Sequence, residues 1–177
     1  MTIEINESIK IAASLIEIAA ITAPKGKGVD DIRTKTIYKG SKEHKELVEK
    51  MKVYGDKKGL KFFLRDSKNT LESDAIVLIS VSAKPPLGLN CGMCGYDCNT
   101  IPEKKKINDY TAPVCAFALV DLGIALGSAS KTAQMLNLDN RIMYSIGATA
   151  MEMCLIDGDV VMGIPLSVSS KSIYFDR

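Results

Sequence analysis

Residues 5–22 carry polar side chains at Glu7, Lys10, Ser14 and Glu17, besides Asn6, Ser8 and Thr22 near the two ends. Steps of three and four set the first four of these on one narrow stripe of an otherwise apolar helix. Such a helix is nearly surrounded by protein, in the core or in a subunit interface, and "APKGKG" (23–28) ends it with proline and glycine. "IRTKTIY" (32–38) alternates with period two and predicts a strand. "SKEHKELVEKMKVYGDKKG" (41–59) has the pattern of an amphipathic surface helix, and "KFFLR" (61–65) predicts a short strand. His44, the one histidine, falls on that surface helix and is expected to be a solvated residue rather than a ligand.

"DAIVLISVSA" (74–83) is a continuous apolar run of strand length, which predicts a central strand covered on both faces. After a polar stretch, Pro113 is expected to open a long helix running to about Leu136. "RIMYSI", a short helix at "ATAMEMCL" and a strand at "DVVMGIPLSV" complete the chain. Strands and helices alternate without the rhythm of a doubly wound sheet. The expected class is α+β, with helices covering a mixed sheet. At 177 residues the chain is long enough for one compact domain spanning 1–177.

Composition changes this picture little. Charged residues make up 25%, hydrophobic ones 46%, and the formal net charge is +2, which gives no field that would favour nucleic acid. The first helix carries Lys10 and Glu17 and has no basic stretch before it, so it reads as part of the mature protein rather than a signal peptide. Asp121 interrupts the best candidate for a membrane span. Cytoplasmic localisation and no membrane partner are the expectations. The basic run Lys104 to Lys106 is expected to be a solvated turn, or else a docking patch for an acidic partner.

Within the long helix Gly123, Gly127, Ala125, Ala129 and Ala133 recur at spacings of four. Each glycine there costs up to about 1 kcal/mol of helix propensity, so a close neighbour is expected: tight packing within the chain, a dimer seam or a cofactor wall.

The chemistry concentrates in "CGMCGYDCNT" (91–100), which holds three of the five cysteines. Cys91, Cys94 and Cys98 form C-x2-C-x3-C, and Cys115 follows at the start of the long helix. Four thiolates are the complement of a 4Fe-4S cluster, one for each iron. Gly88, Gly92 and Gly95 permit the turns that aim successive sulfurs inward. Zinc is the rival, although four-cysteine zinc sites ordinarily present two short C-x2-C knuckles and Cys98 with Cys115 makes none. Plain reduced thiols are the third reading. Cys154, among apolar neighbours in "MEMCLIDG", is expected to be a buried structural cysteine.

The segments "AAITAPKGKGVDDI", "CGMCGYDC", "DLGIALGSA", "DNR" and the C-terminal "GIPLS…IYFDR" together resemble a prokaryotic family described as containing a ferredoxin domain, nearly end to end. That resemblance implies a cluster on Cys91, Cys94, Cys98 and Cys115, in a ferredoxin-like loop over 88–115. More distantly, the order of elements is similar to that of the flavin-dependent nitroreductases: a buried helix ending in an alanine-proline loop, a long central helix at a homodimer interface, and FMN between subunits. This similarity implies that Lys25, Gly26 and Lys27 occupy the flavin-loop position and that Lys171 and Arg177 meet a phosphate. The arginine-arginine-serine stretch that grips the FMN phosphate in nitroreductases has no counterpart, since residues 9–15 are "IKIAASL".

Two functions follow as expectations. One is a homodimeric oxidoreductase that moves electrons between the cluster and a flavin or small substrate, with no catalytic acid or base assigned. The other is a ferredoxin-like carrier or redox sensor that docks on an electron-transfer partner, and a structural zinc protein is the remaining alternative.

Overall fold

The structure, a computed structural model, describes residues 5–83 and 85–175. Its elements in chain order are α1 (Ile5–Thr22), a 3-10 turn at Gly26–Gly28, β1 (Ile32–Tyr38), α2 (Lys42–Lys58), α3 (Phe62–Glu72) and β2 (Ala75–Val81). They are followed by β3 (Lys105–Ile107), β4 (Tyr110–Ala112), α4 (Ala116–Met135), β5 (Asp139–Asn140), α5 (Tyr144–Glu152) and β6 (Val160–Ser167). The expected α+β class holds. Strands β1, β2, β6 and β5 form one sheet in that order, and β3 pairs with β4 as a separate hairpin. The sheet expected to be mixed is antiparallel at each described pairing.

Strand β2 is buried along its whole length, which is why its sequence is continuously apolar instead of alternating. Its side chains still divide by parity. Ala75, Val77, Ile79 and Val81 enter a core with α1 and α4, while Ile76 and Leu78 enter a second core with α2 and α5. The sheet is therefore the middle of three layers. Helix α5 lies unusually close to β6: a Cβ on Gly147 would stand 1.9 Å from the carbonyl oxygen of Val161, and one on Gly163 would stand 2.1 Å from Ile146 Cγ2.

Several expectations need correction. "KFFLR" is not a strand but the entry to α3, whose buried residues Phe63, Ser67 and Thr70 recur at helical steps that a five-residue window is too short to reveal. His44 is buried, not solvated: Ser41 caps α2 by accepting from His44 N (3.1 Å), and His44 Nε2 lies 3.0 Å from the Thr70 carbonyl. Helix α4 begins at Ala116, with Cys115 as its N-cap, not at Pro113.

The small residues of α4 sort into two sets. Ala125, Ala129 and Ala133 are buried against the core, whereas Gly123 and Gly127 face outward: among the described residues, no atom beyond their own stretch of helix stands within 4 Å of where a Cβ would be. Beside these glycines Leu119, Val120 and Ile124 are exposed. Helix α1 buries Ile9, Ala13, Ile16 and Ala20 but exposes Ile11, Leu15, Ile18 and Ile21, so the single chain leaves one side of it uncovered. No helix among the described residues is long and apolar enough to cross a membrane.

Candidate functional site

The sheet register decides what can meet. Ile32, Val81 and Val160 share one end of β1, β2 and β6, and Tyr38, Ala75 and Leu166 share the other. The Gly26–Gly28 turn enters β1 and the cysteine loop leaves β2 at the same end. Lys27 donates to the carbonyl of Leu87 (2.8 Å), and Gly26 N donates to Asp121 Oδ1 on α4 (3.0 Å). The turn is thereby tied both to the stem of the cysteine loop and to the helix that Cys115 caps.

Asp159 closes the loop. Its Oδ2 accepts from Ala83 N (2.8 Å) on the outgoing stem and from Lys104 Nζ (2.5 Å) on the returning one. Its backbone N donates to the carbonyl of Val81 (2.8 Å), and its carbonyl accepts from Thr111 N (3.1 Å). Lys104 is thus the partner in a nearly buried ion pair, with 9% and 13% side-chain exposure for Lys104 and Asp159. Lys106 pairs with Glu152 (3.0 Å). Of the run read as a solvated turn or docking patch, only Lys105 has no such partner among the described residues.

Inside the loop, Gly92 and Gly95 have φ of 70° and 84° and Asn90 has φ of 52°, which folds the chain back on itself. Asn90 and Cys98 bond reciprocally: Cys98 N donates to Asn90 Oδ1 (2.8 Å), and Asn90 N donates to Cys98 Sγ (3.3 Å). A backbone N–H on a cysteine sulfur is the kind of contact that tunes a metal-bound thiolate. Cys91 is exposed, Cys94 and Cys98 are half-buried, and Cys115 is buried at the N-terminus of α4, where a negative charge meets the positive end of the helix. In kind and number these donors suit a four-iron cluster. No group of three or more potential metal-ligating side chains is gathered among the described residues. Cys154, expected to be buried, is exposed at the C-terminal end of α5 with φ of 52°.

The hairpin β3–β4 spans the gap between the loop and Cys115, and Asp109 at its tip pins it. Asp109 Oδ1 accepts from Tyr54 (2.5 Å) and from Lys58 on α2, and Oδ2 accepts from Tyr144 on α5. Burial disfavours the charge on Asp109, but the hydrogen bonds from Lys58, Tyr144 and Tyr54 outweigh it and hold the carboxyl below the usual range. Burial, then the bond to Asp109, pushes the Tyr144 phenol up to about 12.

The residues expected at a flavin fall into separate places. Lys25 turns inward onto the carbonyls of Ile21 and Ala23 (2.9 Å to the latter), where it caps the end of α1. Lys171 follows β6 and so leaves from the far end of the sheet, where Tyr174 is bonded to Ser73 (2.9 Å). Six strand steps, roughly 20 Å, separate that end from Lys27 within one chain. Arg177 lies outside the described residues. Sequence reasoning missed Asn90, Asp109, Asp121 and Asp159, because each acts through a partner that folding brings near. The one local cue was an asparagine directly before the first cysteine.

A family profile described as "uncharacterized protein containing a ferredoxin domain" matches residues 111–177, a stretch that includes Cys115 and Asp159 but not the three loop cysteines. A protein from Archaeoglobus fulgidus is 44% identical over 174 residues, covering 97% of this chain and 93% of its own. The chain belongs to this ferredoxin-domain family. Among solved structures, a protein from Desulfovibrio desulfuricans described as a nitroreductase in complex with FMN superposes with a TM-score of 0.60 at 14% identity, covering 94% of this chain and 78% of that one. An oxidoreductase containing FMN gives 0.59 at 16% identity, over 92% of this chain and 68% of that one. At these identities the likeness is one of fold, so this member of the ferredoxin-domain family has a nitroreductase-like fold.

Proposed function

We propose that the chain is an iron-sulfur redox protein that holds a 4Fe-4S cluster on Cys91, Cys94, Cys98 and Cys115 and works as a cytoplasmic homodimeric oxidoreductase, exchanging electrons with a flavin or a small substrate. The observation that carries this reading is the joining of the two motifs: the cysteine loop, closed by Asp159, and the Gly26–Gly28 turn are tied together by Lys27 at one end of the sheet. A bound cluster supplies one-electron transfer. The chain's part is to hold the four thiolates, to direct Asn90 N–H at one of their sulfurs, and to cover the fourth within the start of α4. The exposed apolar rows on α1 and α4 support a twofold partner at that side.

A specific observation favours the second reading, a ferredoxin-like carrier or sensor without flavin. Lys25, Lys27 and Gly26 N–H are already engaged by acceptors of the chain itself, which leaves the turn few open donors for a phosphate. Absorption spectroscopy of anaerobically purified protein, with iron, sulfide, zinc and flavin quantitation, separates the readings. A broad band near ~400 nm from the cluster is expected, with a flavin band near ~450 nm only in the enzyme. Cys115→Ser should bleach the cluster band while Cys154→Ser should not. Equal loss from both variants refutes this ligand set, and a colourless zinc protein refutes the cluster.

A further inference from the structure

At the end of the sheet opposite the cysteine loop, three sequence motifs that the redox reading leaves unused come together. The C-terminal half of α4 supplies Ser130, Lys131 and Gln134, the "DNR" segment supplies Asp139 and Asn140, and the tail supplies Phe175. These residues line a cavity of about 430 Å³, a size suited to a small molecule. Arg141 braces the tail over it, donating to the carbonyl of Tyr174 (2.9 Å) with its guanidinium 5.4 Å from the centre of the Phe175 ring.

Two side-chain atoms of this lining stand out. Ser130 Oγ and Asp139 Oδ2 are buried and have no hydrogen-bond partner, the only such atoms found among the described residues. Buried polar groups in folded proteins are almost always satisfied, so each orphan asks for an explanation. No ion pair is found for Asp139 among the described residues. The last turn of α4, which ends at Met135, also turns its partial negative charge toward this side. An acceptor-only carboxylate beside a hydroxyl and a helix C-terminus selects a donor that carries positive charge. Anions are disfavoured at these two atoms for the same reason, and Lys131 lies at the exposed rim, where its ammonium is solvated.

We infer that this cavity binds a small organic cation, an alkylammonium or guanidinium compound, whose N–H groups satisfy Asp139 and Ser130 after a change of side-chain rotamer. The site stands roughly 20 Å from the cysteine loop, by six strand steps, so it does not depend on the cluster being present. Calorimetric titration of the full chain at fixed ionic strength tests it, with agmatine as the cationic probe and adipate and riboflavin as anionic and neutral planar comparisons. Saturable binding of agmatine is expected, weakened at least tenfold in Asp139→Asn, weakened less in Ser130→Ala, and unchanged in Cys115→Ser. Circular dichroism of Asp139→Asn checks that the variant is folded. If that variant unfolds, Ser130→Ala and competition by salt-matched ammonium probes on the wild type decide. No saturable agmatine binding, equal binding by Asp139→Asn, or preference for adipate or riboflavin overturns the inference. The iron, sulfide and flavin measurements on the same sample judge the redox reading separately.

Discussion

At the scale of single residues, carboxylates fix the segments around the cysteine loop. Asp159 joins the two stems of the loop, Asp121 receives the Gly26–Gly28 turn, and Asp109 clamps the hairpin between them. Of these, Asp109 offers the sharpest test, because three donors converge on it in a setting from which water is largely excluded. Replacing it with asparagine should cost about 1.5–3 kcal/mol at pH 7, the usual range for hydrogen bonds to a charged group. Its folded pKa lies below the unfolded value of about 3.9. The stabilisation is therefore present in full above that value and is lost as pH falls through the folded one. Urea unfolding should show the gap between wild type and Asp109→Asn narrowing below about pH 4. A gap that stays constant to lower pH would mean that charge plays no part in the clamp. None of these aspartates was legible beforehand, since an Asp in "KINDY" or "DGDVV" looks like any turn residue until the fold supplies its partner.

Elements were easier to foresee where the pattern was long. Helices α1, α2 and α4 and strands β1, β2 and β6 follow from runs of seven or more residues whose periodicity or continuity is unambiguous. Helix α3 was misread because two adjacent phenylalanines mimic a strand over five residues, and its helical spacing emerges only with Ser67 and Thr70. The cysteine spacing was visible as chemistry, but its closure by Asp159 was not, because that contact spans 76 positions from Ala83. The contact of α5 with β6 gives a prediction at this scale. Gly147→Ala gains about 1 kcal/mol of helix propensity, yet its new methyl meets backbone that cannot rotate away, at 1.9 Å from Val161 O. Overpacking of that kind costs about 3 kcal/mol, so a net loss of roughly 2 kcal/mol should appear as a lower denaturation midpoint with an unchanged slope. A neutral result would indicate that α5 can slide along the sheet.

For the molecule as a whole, the three-layer arrangement covers both faces of the sheet yet leaves the outer sides of α1 and α4 apolar. The outward-facing Gly123 and Gly127 offer a shallow channel for another helix to approach closely. Sedimentation velocity should find a dimer for the wild type and a shift toward monomer for Gly127→Leu, whose monomer should remain folded because, among the described residues, no other part of the chain lies near that Cβ. A dimer unaffected by the leucine would move the seam elsewhere. The Asp159 knot bears on how such proteins diversify. Because Ala83 and Lys104 are fastened to one carboxylate, the stretch between them behaves like a cassette clipped into a socket. Its length can drift at a small, logarithmic entropic cost while the scaffold beneath stays in register. Grafting a ribbon of another sequence between those two anchor points would leave every pairing of the sheet as it is.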